Sequence, residues 1–199
     1  PAPVTITVES ATKVYGEADP ILFATVEGLI GDDVLDYTLN REPGDTVGEY
    51  AITVTLGDNP NYNVAVTNGT FTITKADAIV TITGATGTTD YNGSEQQVSG
   101  YTVSLPQGVT MTENEIIGPA NAVAAGTDAG TYNMGLSVDD FTTINNNYRV
   151  IFEVEDGSLT IHKINASVTI TGRHNTSVYD GQEHVAEGYD VEISEPLYT

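Results

Sequence analysis

The sequence has no cysteine, which removes disulfide stapling, thiol catalysis and cysteine-based zinc binding in one stroke. Tryptophan is absent too, so aromatic mass must come from eleven tyrosines and four phenylalanines. Basic residues are scarce. Lys13, Arg41, Lys75, Arg149, Lys163 and Arg173 stand singly against 28 acids, for a formal charge of -22. Phosphate backbones and anionic bilayers are held by clustered lysine and arginine, so a nucleic-acid partner is not expected. No apolar run is long enough to cross a bilayer, and membrane insertion is not expected either. No charged-then-apolar leader precedes Pro1, and the Pro-Ala-Pro start without methionine reads as a mature or excised piece.

What remains is material for strands. High charge with few apolar residues gives a disordered chain, but here 39% of residues are hydrophobic and the acids are scattered. Valine, isoleucine, threonine and tyrosine dominate, which favours pleated, half-buried structure.

A repeat organises the whole length. VTIT opens at Val4, Val80 and Val168, and a tyrosine follows 11 positions later each time, at Tyr15, Tyr91 and Tyr179. Glycine comes next, as Gly16, or one residue later in YNG and YDG as Gly93 and Gly181. The first two copies share an ending. Gly48-Glu49-Tyr50 matches Gly130-Thr131-Tyr132, Asn61-Tyr62 matches Asn147-Tyr148, and GTFTITK (69–75) matches GSLTIHK (157–163). The periods are 76 and 88 residues, whereas the joints from Lys75 to Val80 and from Lys163 to Val168 are equal. Insertions inside the unit with constant joints are how repeat arrays vary. The expected modules are 1–76, 77–164 and an incomplete third unit, 165–199, which aligns with the second through Gly84/Gly172, Gly100/Gly188, Tyr101/Tyr189 and Val103/Val191.

Alternation such as Val4-Ile6-Val8 against Thr5-Thr7-Glu9 predicts strands with one buried face. Asp58-Asn59-Pro60-Asn61, Asn68-Gly69, Asn92-Gly93, Asp156-Gly157 and Asp180-Gly181 supply the turns. The fold class expected is all-β: tandem small β-sandwich, Ig-like modules in an extended array, with β-grasp-like modules as the alternative. Only Thr112–Ile117 and Gly31–Leu35 could hold a short helical turn. The joints at 76–79 and 164–167 lack glycine and proline, which favours a semi-stiff connection and a rod.

The residues resemble a known family. TKVYGEADP (12–20), VEGLIGDD (26–33), VGEY (47–50) and GTFTITKA (69–76) make the first unit similar to an MBG domain of the YGX type. The second and third units, with VTITG, YNG or YDG, SGY or EGY and TDAGTY, resemble related Ig-like, YDG-like repeats of Gram-positive gut bacterial surface proteins. The resemblance implies a non-catalytic, secreted or cell-wall-attached bacterial adhesin-like protein. It implies a stalk or spacer role, with adhesion or a dedicated carbohydrate or host-glycoprotein binding module as the alternative. Host glycans or glycoproteins and neighbouring repeat modules are the partners it suggests. The unit 165–199, lacking its closing strand, is expected to seek strand pairing.

No catalytic, ligand-binding or metal-ligating residue is assigned. The shared tyrosines read as core residues with a hydroxyl at the rim. His162, His174 and His184 stand in no metal-ligand spacing; His162 replaces the Thr74 of the first unit and reads as a solvent-facing strand residue. No GxSxG elbow or phosphate-cradling glycine loop occurs. No cofactor is expected. Calcium is the strongest chemical alternative, because Asp32-Asp33, Asp58–Asn61, Asp139-Asp140 with Asn145–Asn147, and Asp156 offer loop oxygens without the spacing of a dedicated calcium loop. Lys75 and Lys163 each end a unit, where a cross-link to asparagine or aspartate would lock a strand; a solvated lysine on an edge strand is the preferred reading. Intact mass spectrometry is therefore expected to give the full sequence mass. A deficit of one ammonia per bond would establish the cross-link instead.

Overall fold

Valine and isoleucine at every second position, with threonine between, give a strand one apolar face and one wet face. Val4, Ile6 and Val8 are buried while Thr5 and Thr7 are exposed, so the opening VTIT motif forms the inner strand its pattern predicts. The computed structural model describes residues 1–197, and the same alternation recurs in the central strand of the second repeat, where Ala78, Val80 and Ile82 are buried.

The first repeat holds β1 (Ala2–Val8), β2 (Ala11–Val14), β3 (Ala24–Glu27), β4 (Tyr37–Arg41), β5 (Gly48–Leu56), β6 (Tyr62–Thr67) and β7 (Gly69–Thr74). The second holds β8 (Ala76–Gly84), β9 (Thr86–Asp90), β10 (Gln96–Ser99), β11 (Tyr101–Ser104), β12 (Ile116–Ile117), β13 (Val123–Gly126), β14 (Gly130–Asn133), β15 (Thr142–Thr143), β16 (Tyr148–Glu155) and β17 (Ser158–His162). A hairpin of β18 (Val168–Gly172) and β19 (Tyr189–Ile193) follows.

In the first repeat, β1 is central in the sheet β3-β1-β6, antiparallel to β3 and parallel to β6. Against it lies β2-β7-β5-β4, where β2 and β7 run parallel and the other pairs antiparallel. Val8 packs on Ile52, Phe71 and Ile73 of that second sheet. Val4, Ile6 and Leu35 form an adjoining cluster, and Ala24 and Val54 touch both. Two sheets joined through their inner faces are a small sandwich. The second repeat uses the same orders, β11-β8-β16 and β14-β17-β9, again with the short strand after the central one parallel to the closing strand. Its longer connections add the pairs β10-β13 and β12-β15.

Packing density divides the chain into two compact units. One consists of Pro1–Thr81, Val103–Gly118 and Val138–Glu153; the other of Ile82–Thr102, Pro119–Ser137 and the chain from Val154 onward. In the second unit Ala124, Leu159 and Ile161 form the cluster, with Tyr91, Val98, Tyr132 and Met134 around it.

The expected helical turn near Thr112 is the 3-10 turn Glu113–Glu115; a second, Val138–Asp140, was not foreseen. Gly31–Leu35 does not form the other expected turn of helix, because Gly31 at φ +62° leaves the right-handed helical region. Among the described residues no helix crosses a sheet face, as a β-grasp module would require.

Gly-x-Tyr has the same explanation in both repeats. The hydroxyls of Tyr50 and Tyr132 donate to the carbonyls of Thr46 (2.7 Å) and Asp128 (3.0 Å), four residues upstream. Each ring lies directly on a glycine, Gly44 or Gly126, where a β-carbon would overlap it. Urea unfolding is expected to show Gly126→Ala costing about 1–3 kcal/mol by overpacking and Phe71→Ala costing about 3–5 kcal/mol by leaving a cavity. Val178→Ala, at an exposed position, should stay within about 0.5 kcal/mol of the native chain.

Candidate functional site

A hollow of about 550 Å³ in the first unit is built around Tyr15. The backbone of Tyr15 is fixed by its N–H donating to the Thr74 carbonyl at 2.9 Å, which continues the β2–β7 pairing. Its ring meets Tyr148 edge to face, with centroids 5.4 Å apart at 80°. Such a pair contributes roughly 0.5–1.5 kcal/mol beyond the buried area. The Tyr148 hydroxyl accepts from Thr110 N at 2.9 Å, and the Tyr15 hydroxyl lies 3.1 Å from Thr110 Oγ1. Gln107, Gly108 and Val109 line the wall, and Glu17, Asp45 and Asp77 bring acids to the rim.

Next to it, Asn147 ties the repeats together. Its side-chain oxygen accepts Val47 N at 3.0 Å, and its backbone carbonyl accepts Ala76 N at 3.1 Å. The first repeat has the same corner: Asn61 O accepts Ala2 N at 2.8 Å, and the Tyr62 hydroxyl accepts Ile30 N at 3.1 Å. That hydroxyl also donates to Asp33 Oδ2 at 2.6 Å, and the carboxylate beside it pushes the Tyr62 phenol up. The sequence shows the repeated Asn-Tyr pair. Its role in holding the preceding module was not legible, because Asn147 and Val47 are 100 positions apart.

The shared tyrosines end in different surroundings. Tyr15 and Tyr91 are half-buried, whereas Tyr179 is 92% exposed. His162 and His174 are exposed, and His184 Nε2 lies 2.8 Å from Asp180 Oδ1.

Three of the loop residues considered for calcium, Asp156, Asn59 and Asn145, use their side-chain oxygens on nearby backbone N–H groups. Both oxygens of Asp156 accept backbone N–H groups, from Gly135 and Leu136. Asn59 bridges Asp36 and Gly57, and Asn145 links Glu115 to Asn147 N. Among the described residues no group of three or more acidic, histidine or cysteine side chains is arranged to hold a metal ion. Lys75 and Lys163 form no ion pair among the described residues, and both are exposed.

The other four cations are paired. Asp19 receives Lys13 and Arg41, each at 2.7 Å, and Arg41 lies over the rings of Phe71 and Tyr50. Arg149 grips Asp77 with two hydrogen bonds of 2.7 and 2.6 Å, and Arg173 pairs with Asp190. Lys13 and then Arg41 hold the Asp19 carboxyl below its ordinary 3.8. Arg149 does the same for Asp77, and the Thr112 N–H, more than its hydroxyl and Asn145, lowers Glu115.

A lowered folded-state value means that the unfolded chain takes up the proton first as pH falls. The stability from Asp19 is therefore complete above about pH 3.8 and lost as pH drops through the folded value. General acid protonation also relieves the repulsion of the -22 surface, so the contribution is isolated by comparison. Between pH 7 and pH 3 the urea midpoint of Asp19→Asn should fall less than that of the native chain. An equal fall would remove the ion-pair assignment.

Two comparisons with family models then bear on this arrangement. Residues 4–72 match the model described as MBG domain (YGX type), and residues 78–163 match the one described as MBG domain. No curated protein and no solved structure matches the chain significantly.

Proposed function

Taking as premise that the chain carries MBG domains at residues 4–72 and 78–163, tandem repeat domains of surface proteins, we propose that it is a non-catalytic spacer on the outside of a bacterial cell, within an adhesin-like protein. MBG repeat domains are generally non-catalytic, and no helix of the described residues is long and apolar enough to cross a membrane. The observation that carries the reading is the corner at Asn147 and Tyr148. There the second repeat supplies a hydrogen bond and a ring contact to the first, at Val47 and Tyr15. A spacer has to transmit load from one module to the next, and a packed, hydrogen-bonded joint does so where a flexible linker would simply extend. The excess of unpaired carboxylates keeps such a surface soluble and suppresses self-association.

A second reading, carbohydrate binding, is supported by one feature. The Tyr15–Tyr148 hollow combines aromatic edges with the Gln107 amide, the Thr110 hydroxyl and acids at the rim. Those are the groups that stack on and hydrogen-bond to sugar rings.

Two measurements on the whole chain separate the readings. Held by its ends in an optical trap, a spacer lengthens only in abrupt unfolding steps, and gradual extension at low force would overturn the proposal. On a glycan array a spacer is silent. Selective binding abolished by Tyr15→Ala would establish the second reading in its place.

A further inference from the structure

Two asparagines in the chain are followed by glycine, in Asn68-Gly69 and Asn92-Gly93, and the fold holds them differently. A glycine at the second position carries no β-carbon to shield its nitrogen or restrict its backbone, so that nitrogen can approach the preceding carboxamide. Whether it does so depends on the local structure.

Asn92 stands in the turn between β9 and β10. The base of the turn is fixed, because Tyr91 N donates to His162 O at 2.9 Å and the Gln96 side-chain amide donates to Asp90 O at 3.1 Å. Within the turn Asn92, Gly93 and Ser94 are all exposed, and Gly93 takes φ +75°. Ser94 N donates to Asn92 Oδ1 at 2.9 Å. This side-chain turn closes a ring that contains both Gly93 N and Asn92 Cγ. Its hydrogen bond falls on the oxygen that gains charge when Cγ is attacked. Among the described residues the Gly93 N–H meets no acceptor. Nucleophile, carbonyl and stabilising donor thus sit on three consecutive exposed residues.

Asn68 lacks this arrangement. Gly69 is buried at the start of β7, where it pairs with Ile52, and a β-carbon on it would stand 2.9 Å from Glu9 O. Thr70 N, which would be the matching donor, bonds Ser10 Oγ at 3.2 Å instead.

We propose that Asn92 is a site of spontaneous deamidation, directed by its turn, and that the fold protects Asn68 from the same reaction. The Gly93 N–H gives its proton to hydroxide, and the nitrogen bonds to Asn92 Cγ. The Cγ–Nδ2 bond breaks, and Nδ2 takes up a proton and leaves as ammonia. Water then opens the cyclic imide. Attack at Cγ gives aspartate, and attack at the main-chain carbonyl gives isoaspartate. The net change is hydrolysis of an amide, with no oxidant, reductant or enzyme. Aspartate suits the turn, since Asp180 occupies this position in the third repeat and its Oδ1 accepts Gln182 N at the same 2.9 Å.

The test is to hold the whole folded chain in mildly alkaline buffer at body temperature and map its peptides by mass and fragmentation. Asn92 is expected to gain one mass unit and to yield both products. Asn68 should convert at least about tenfold more slowly, because Gly69 must first leave its pairing with Ile52. In a chain kept unfolded in urea the two sites should convert at similar rates. The proposal fails if Asn92 stays intact in the folded chain or reacts no faster than Asn68. A preference for Asn92 that persists in urea would assign the difference to sequence neighbours and remove the role of the turn.

Discussion

One central strand per repeat has to bring two sheets together, and the rest of the structure is arranged around that requirement. Val4 and Ile6 of β1 cluster with Leu35, and Val8 of the same buried face clusters with Ile52, Phe71 and Ile73. A module of this size buries only about 60% of the surface its unfolded chain exposes, so few side chains are available to be fully enclosed. Each therefore has a large share of the stability. The acidic surface follows from the same economy, because the carboxylates that would oppose burial stay outside. Where cations occur they are placed against acids or over rings, as Arg41 is between Asp19 and Phe71.

Short sandwiches also need their ends closed, and here polar turn chemistry substitutes for core. Asp156, Asn59 and Asn145 spend their side-chain oxygens on nearby backbone N–H groups. The same residues read in isolation suggest a cation site, since hard cations favour the same oxygens. Local backbone donors compete for those lone pairs at no cost in ion desolvation, and that competition explains the turn role. The tyrosine of Gly-x-Tyr works similarly, filling the space over Gly44 or Gly126 and returning its hydroxyl to the turn.

Much of the fold was legible in the residues because the determining signal is periodic and local. Alternation located β1, β5, β7, β16 and β17, and the matched endings located the repeats. The parallel pairings of β1 with β6 and β2 with β7 were not legible, since alternation carries no direction. The site was less legible still. Tyr15, Thr110 and Tyr148 converge from distant positions, and nothing in the local sequence of Asn147-Tyr148 distinguishes a turn from a clasp on the preceding repeat.

The three copies of the VTIT-to-tyrosine motif show how far local sequence governs burial. Their spacing is identical, yet the tyrosine is half-buried in two copies and 92% exposed in the third, and the aliphatic residues differ in the same sense. Strand propensity cannot produce that difference, because the strand and its hairpin neighbour pair in all three. What changes is the closing half of the module: β5, β6 and β7 around β1, β14, β16 and β17 in the second repeat, and no counterpart beside β18 among the described residues. Pairing is thus specified by the first half of a repeat alone, whereas exclusion of water from Ile6 or Ile82 is a property of the completed module. The consequence is energetic. An aliphatic side chain gains roughly 1.5–3 kcal/mol on full burial, so the strands on both edges of β1 and β8 contribute to stability through Ile6 and Ile82 as well as through pairing.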